Sequence, residues 1–200
     1  MKTMKTSSVA GAMLMLFLAG CVSTAELPER VTIQAPLPQD TRSVTIRTLP
    51  MPPGAITNVE GVDDAPRRLA GSVKEALALK RPDWQIRVAE ELGAKVDGDV
   101  TVTLQLLQID GGSAALRFWI GLNTGGTQSV VEVSVVDKTG KGLASTKISE
   151  RTVCPIGACT DSNDEMVRKN LQVLGTDVAA FVLDPVQFEK DKQSRSQGVE

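Results

Sequence analysis

The stretch VTVTLQLLQI, Val100–Ile109, constrains the fold more than any other part of this chain. Val100, Val102, Leu104 and Leu106 fall on one face of an extended chain, with Thr101, Thr103 and Gln105 opposite. Period-two alternation of this kind marks a strand with one face buried and the other wet. After Leu106 the phase slips, because Leu107 and Ile109 carry the apolar signal on. A slip there means a β-bulge or a strand end buried on both faces.

The flanking segments supply partners for that buried face. Ser43–Leu49 alternates as a strand and is stopped by PMPPG, Pro50–Gly54. Asp63-Asp64-Ala65-Pro66 has the chemistry of a helix start. Leu69, Val73 and Leu77 then form one apolar stripe, and Pro82 ends it. Trp84, Ile86 and Val88 alternate as a strand, as do Leu116, Phe118 and Ile120, with Arg117 and Trp119 on the other parity. Ser129–Val136 and Leu143–Val153 are joined by Asp137–Gly142, DKTGKG, a hairpin signal. Ser162 and Glu165 form a capping-box pattern ahead of Val167, Leu171, Leu174, Val178 and Phe181, and Pro185 lies just beyond.

The order strand, helix, strands, helix predicts an α+β domain over residues 43–185. Its expected form is a mainly antiparallel sheet of about five strands with two helices packed on one face. Only six aromatic residues occur, none of them Tyr, so the core must be built from Val, Leu, Ile and Ala. Residues 21–42, with Pro28, Pro36 and Pro38, read as a tether carrying a short strand at Val31–Ala35. Residues 186–200 are polar and read as a disordered tail.

Lys2 and Lys5, the apolar run to Leu18 and the small residues before Cys21 are the parts of a secretory signal peptide over residues 1–20. The run is about half of the ~20 residues that a spanning helix needs. Leu18-Ala19-Gly20-Cys21 resembles the lipobox of bacterial lipoproteins, which implies cleavage before Cys21 and acylation of that residue. Val22, where Asp would signal inner-membrane retention, implies the outer membrane, with the domain facing the periplasm. Several acyl chains on one residue anchor stably, since each buried CH₂ adds about 0.8 kcal/mol. Loss of Lys2 and Lys5 leaves 20 basic against 24 acidic residues, a net charge of −4. That balance excludes a nucleic-acid footprint and offers no polybasic lipid patch.

Lipidation of Cys21 leaves Cys154 and Cys159, in CPIGAC. In an oxidising compartment the default for such a pair is a disulfide. A zinc half-site would need more Cys or His, and the chain has no His. A redox pair usually reads Cys-x-x-Cys.

Gly112-Ser113, Arg117, Gly121, Gly125-Gly126, Val131–Val135, Asp137 and Thr139-Gly140-Lys141 follow one another as a turn, a strand, a Gly-rich loop, a Val-rich strand and a Lys-bearing turn. This resembles the family called domain of unknown function 4410, of small Gram-negative lipoproteins and exported proteins, over roughly Ser43 to Leu183. Leu122-Asn123-Thr124 departs from the family's Gly-apolar alternation, and the Cys pair is no part of its pattern. The resemblance implies no activity. It implies a fold similar to periplasmic lipoprotein domains that act as assembly or regulatory partners.

Without His there is no Ser-His-Asp or Cys-His arrangement. Gly121–Thr127 lacks the Lys-Ser/Thr ending of a phosphate loop and runs between strands. Asp161–Glu165 begins like a calcium loop, but Met166 and Gln172 stand where Gly and Glu are required. Asp97 and Asp99 around Gly98 read as a turn. Arg117 and Trp119, sharing one strand face, are the candidate interaction residues, since Trp and Arg are favoured anchors. The expectation is therefore a non-enzymatic, cofactor-free lipoprotein that binds an envelope protein or a second copy of itself. The alternative is a periplasmic binder of a small ligand between sheet and helices, and a carboxylate-only hydrolase comes last.

The cysteine reading is tested by mass spectrometry after alkylation without reductant. Freshly exported protein is expected to show no alkylated Cys154 or Cys159, and a doubly alkylated chain would remove the disulfide.

Overall fold

The computed structural model describes residues 31–89, 98–113, 125–153 and 161–197. Its elements are β1 (Thr32–Ile33), β2 (Ser43–Thr48), β3 (Ile56–Thr57), α1 (Ala65–Lys80), β4 (Gln85–Ala89), β5 (Val100–Asp110), β6 (Thr127–Asp137), β7 (Gly142–Thr152), α2 (Asn163–Leu183) and α3 (Pro185–Gln197). The strands form one sheet in the order β1-β7-β6-β5-β2-β4, with β3 beside β5 past the end of β2.

β5 is the axis of the sheet. One edge pairs antiparallel with β6 from Val100↔Asp137 to Asp110↔Gln128. The other pairs parallel with β2 over Val100–Leu104 and with β3 at Ile109 and Asp110. Between those two contacts the PMPPG segment leaves the edge and returns, bracketed by Leu49 N–H donating to Leu104 O and Ile109 N–H to Ala55 O. A register shift between Leu106 and Gln108 places the bulge at Leu107. It restores the core parity, so Ile109 is buried with Leu104 and Leu106.

The sheet is mixed, with seven strands, and three helices occur among the described residues, so the expected mainly antiparallel five-stranded sheet with two helices is corrected. The cause is connectivity. β2–α1–β4 is a strand-helix-strand crossover, which makes its two strands parallel neighbours. The chain then returns past β2 to start β5, also parallel to β2. Alternation reveals which face a residue occupies and says nothing about strand direction. β1 and β3 have two residues each, too few to alternate. α3 replaces the expected disordered tail. Asp184 caps it through Gln187 N–H at 2.9 Å, Pro185 takes the first helical position, and Phe188 packs edge-on to Phe181 at 5.7 Å.

α1 and α2 lie on one face of the sheet over a single apolar core of Val44, Ile46, Leu69, Leu77, Val102, Leu104, Val133, Leu171, Leu174 and Phe181, among others. The two helices touch closely at Gly175, where a Cβ would sit 2.5 Å from Ser72 Cβ. Ser162 is the α2 N-cap, but it makes no side-chain cap bond, and Glu165 pairs with Arg168 at 2.8 Å instead of closing a capping box. The DKTGKG turn is held by Asp137 Oδ1, which accepts from Thr139 N–H, Thr139 Oγ1 and Lys141 N–H.

Asp99 does more than turn the chain. Its Oδ2 accepts from Arg42 N–H (2.9 Å), Ser43 N–H (3.0 Å) and Ser43 Oγ (2.9 Å), stapling the start of β2 to the start of β5. The Arg42 N–H bond, then the Ser43 hydroxyl, holds its carboxyl below the usual carboxylate range. Asp99→Ala is expected to lower stability by about 1.5–3 kcal/mol. Because the folded pKa is depressed, the contribution is complete above about pH 4 and disappears as pH falls through the folded value. The gap between denaturant melts of the native chain and Asp99→Ala should therefore narrow as the pH falls below about 4, and a gap that stays constant into acid would contradict the staple.

Candidate functional site

Cys21, Arg117, Trp119, Cys154 and Cys159 lie outside the described residues. The chain flanking the last four is described, and it gathers at one end of the sheet. Gly112, at φ +68, crosses Gly125 and Gly126 so closely that a Cβ would collide with their carbonyl oxygens. Ser113 N–H donates to Gly125 O, and Thr127 Oγ1 to Gly111 O, each at 3.3 Å. Gly126 in turn lies against Thr152 and Val153. The segment bearing Arg117 and Trp119 and the segment bearing the Cys pair thus leave from neighbouring points. Asn163 Nδ2 donates to Asn58 O and Asn58 Nδ2 to Asp110 Oδ1, both at 2.8 Å, lashing the start of α2 to the same end.

The acidic run at that end is internally neutralised. Asp161 meets Lys169 at 2.8 Å, and Arg168 serves Asp164 and Glu165. The Ser162 hydroxyl lowers the Asp164 pKa, and Asp161 raises that of Lys169. Among the described residues no group of carboxylates or thiols could hold a metal ion.

The layer between sheet and helices is filled, with Val102, Leu104, Val133, Leu174, Val178 and Phe181 at 0–1% exposure. Two depressions among the described residues lie elsewhere. One, of about 500 Å³, opens at the sheet end between Asn58, Val59, Glu60, Asn163 and Asp164. The other, of about 270 Å³, lies on the sheet face turned away from the helices, between Leu49, Thr103, Gln105, Glu132, Ser134 and Ser145.

That second face is the candidate site. Alternation sends the polar half of each central strand to it, and register lines those residues up. Arg47, Thr103, Ser134, Ser145 and Thr32 form one row across β2, β5, β6, β7 and β1. Gln105, Glu132 and Lys147 form the next row. On the other side Arg87, Thr45 and Thr101 align across β4, β2 and β5. Thr45 and Thr101 are buried although they face away from the helices, and Gly98 lies against Thr45. The rest is a sheet of hydroxyls and amides between charged margins. Such a surface can hydrogen-bond and pair charges, but among the described residues it holds no activated nucleophile. Its alignment depends on register, which alternation alone leaves open.

The model of a family described as Domain of unknown function (DUF4410) matches residues 28–154, more than half of the chain. Among curated proteins none matches the chain in sequence. A protein of Xanthomonas campestris assigned to DUF330 is similar in structure, with a TM-score of 0.50 and 10% identity, covering 81% of this chain and 96% of its own. A dodecameric PelC from Paraburkholderia phytofirmans is similar at a TM-score of 0.44 and 13% identity, covering 74% of this chain and 96% of its own.

If the face is not core, Thr103→Ala and Ser134→Ala should each change stability by no more than about 0.5 kcal/mol. Leu104→Ala, one residue away on the other parity, should cost about 2–5 kcal/mol. Chemical denaturation of the three variants decides it, and equal losses at Thr103 and Leu104 would mean that both faces are core.

Proposed function

We propose that this chain, which belongs to the DUF4410 family, is a non-enzymatic envelope lipoprotein that works by binding another polypeptide. It is anchored in the outer membrane through acylated Cys21, with its domain in the periplasm. The observation that carries the reading is the one-sided sheet. Helices cover one face with a filled apolar core, while the other presents aligned hydroxyl, amide and charged side chains. A core filled among the described residues, beside a broad polar face with only a shallow depression, is suited to docking a macromolecule rather than enclosing a small ligand. Arg117 and Trp119 extend the binding surface in this reading, on a segment that leaves from the end of the same sheet.

The lipobox-like Leu18–Cys21 supplies the address. Cys21→Ser is expected to abolish incorporation of labelled palmitate in the bacterial host and to move the chain from the membrane to the soluble fraction. Absence of label on the native chain would remove the lipoprotein reading. Trp119→Ala should keep the melting midpoint while weakening crosslinking to the partner, and a midpoint lowered by many degrees with unchanged crosslinking would place Trp119 in the core.

A further inference from the structure

We infer that the partner of the helix-free face is an acidic protein surface carrying a cation opposite Glu132, an inference that rests on the interaction-module reading. Register places four cations on this face, Arg47, Arg87, Lys147 and Arg151. Arg47, Arg87 and Lys147 have no ion-pair partner among the described residues, and Arg87 and Lys147 are exposed. Off this face, five of the described cations are paired and others, such as Arg67, Lys74 and Lys80, are not. Arg42, Arg68, Arg81, Arg168 and Lys169 each hold a carboxylate within 4 Å. By register this face carries four cations against the carboxylates of Glu132 and Asp110, a local positive excess on the broad face that no described helix covers.

The arrangement of the charges selects the class of partner. Lys147 on β7 and Arg47 on β2 are three strand spacings apart, about 14 Å at the usual separation of neighbouring strands. Glu132 on β6 is exposed between them, beside Lys147, with Thr103 and Ser134 in the adjacent row. A uniformly anionic partner, such as a lipid surface or an acidic glycan, would be attracted at the margins and repelled in the middle. A folded polypeptide can place carboxylates at the margins and a lysine or arginine over Glu132, and can meet the hydroxyl row with directional hydrogen bonds. Complementary patterning of this kind sets specificity and on-rate more than bulk affinity.

The test places a photo-crosslinking p-benzoylphenylalanine at Ser134 of the full chain in the bacterium that makes it, with adducts identified by mass spectrometry. The expected result is one protein adduct whose yield falls about tenfold in the Arg47→Glu, Lys147→Glu double variant. The yield should recover when the matching carboxylate of the partner is changed to Lys. The melting midpoint of the double variant should stay unchanged, and Glu132→Gln provides a milder second variant that should reduce the adduct without reversing charge. An adduct insensitive to all these changes overturns the charge-matched partner while leaving the interaction module standing. An adduct between two copies of the chain, or with lipid or glycan, also overturns it. Absence of any adduct removes both readings.

Discussion

Pairing along both edges of β5 is the constraint on which the rest of the structure depends. Its eleven residues take β6 on one side and β2 and β3 on the other, so its backbone groups are satisfied only if three separate segments converge on it. Its side chains divide the molecule. Val100, Val102, Leu104, Leu106 and Ile109 go under the helices, and Thr103 and Gln105 go to the open face. The bulge at Leu107 keeps that division intact over a length at which a strict alternation would have sent Ile109 outward. The helices follow from the same face. Leu69, Val73 and Leu77 of α1 and Leu171, Leu174 and Val178 of α2 are placed where β5 and its neighbours present Val and Leu.

Much of this was legible in the sequence wherever a residue's neighbours in the chain are also its neighbours in space. The alternation of β5, the slip at Leu107, the Asp137–Gly142 turn and the stripes of α1 and α2 are local patterns, and each is found in the structure. Strand direction is not local. That β2, β4 and β5 run parallel follows from two long connections, and the side chains of Ser43–Thr48 look the same either way. α3 was hidden for a different reason. Among its polar residues only Phe188 reports the contact with Phe181, and Asp184-Pro185, read as the end of one helix, is also the cap of the next.

The candidate site was less legible than the fold. Trp119 and Arg117 attract attention because Trp and Arg are informative as single residues, whereas Thr103, Ser134 and Ser145 are unremarkable until register places them in one row. Likewise, Arg47, Arg87 and Lys147 are scattered over a hundred residues of chain, and only the sheet brings them onto one face. A surface whose meaning lies in alignment cannot be read from composition. The same holds for Asp99, a turn residue by its neighbours in sequence and a staple by its neighbours in space.

One of the two shortest contacts in the sheet bears on how the molecule yields to force. β1 meets β7 through only Thr32↔Ser145 and Ile33↔Ala144, with Gln34 and Ala35 both donating to Leu143 O. Those few bonds close a loop of more than a hundred residues, the longest closure in the sheet, and they lie at its outer margin. A pull on the chain ahead of Val31 is therefore borne first by two rungs, and the strands behind them are joined by ten. β1 is placed to yield before the strands behind it, so tension entering from its amino-terminal side is first spent in freeing Thr32 and Ile33, and the open face loses only the outermost residue of its row.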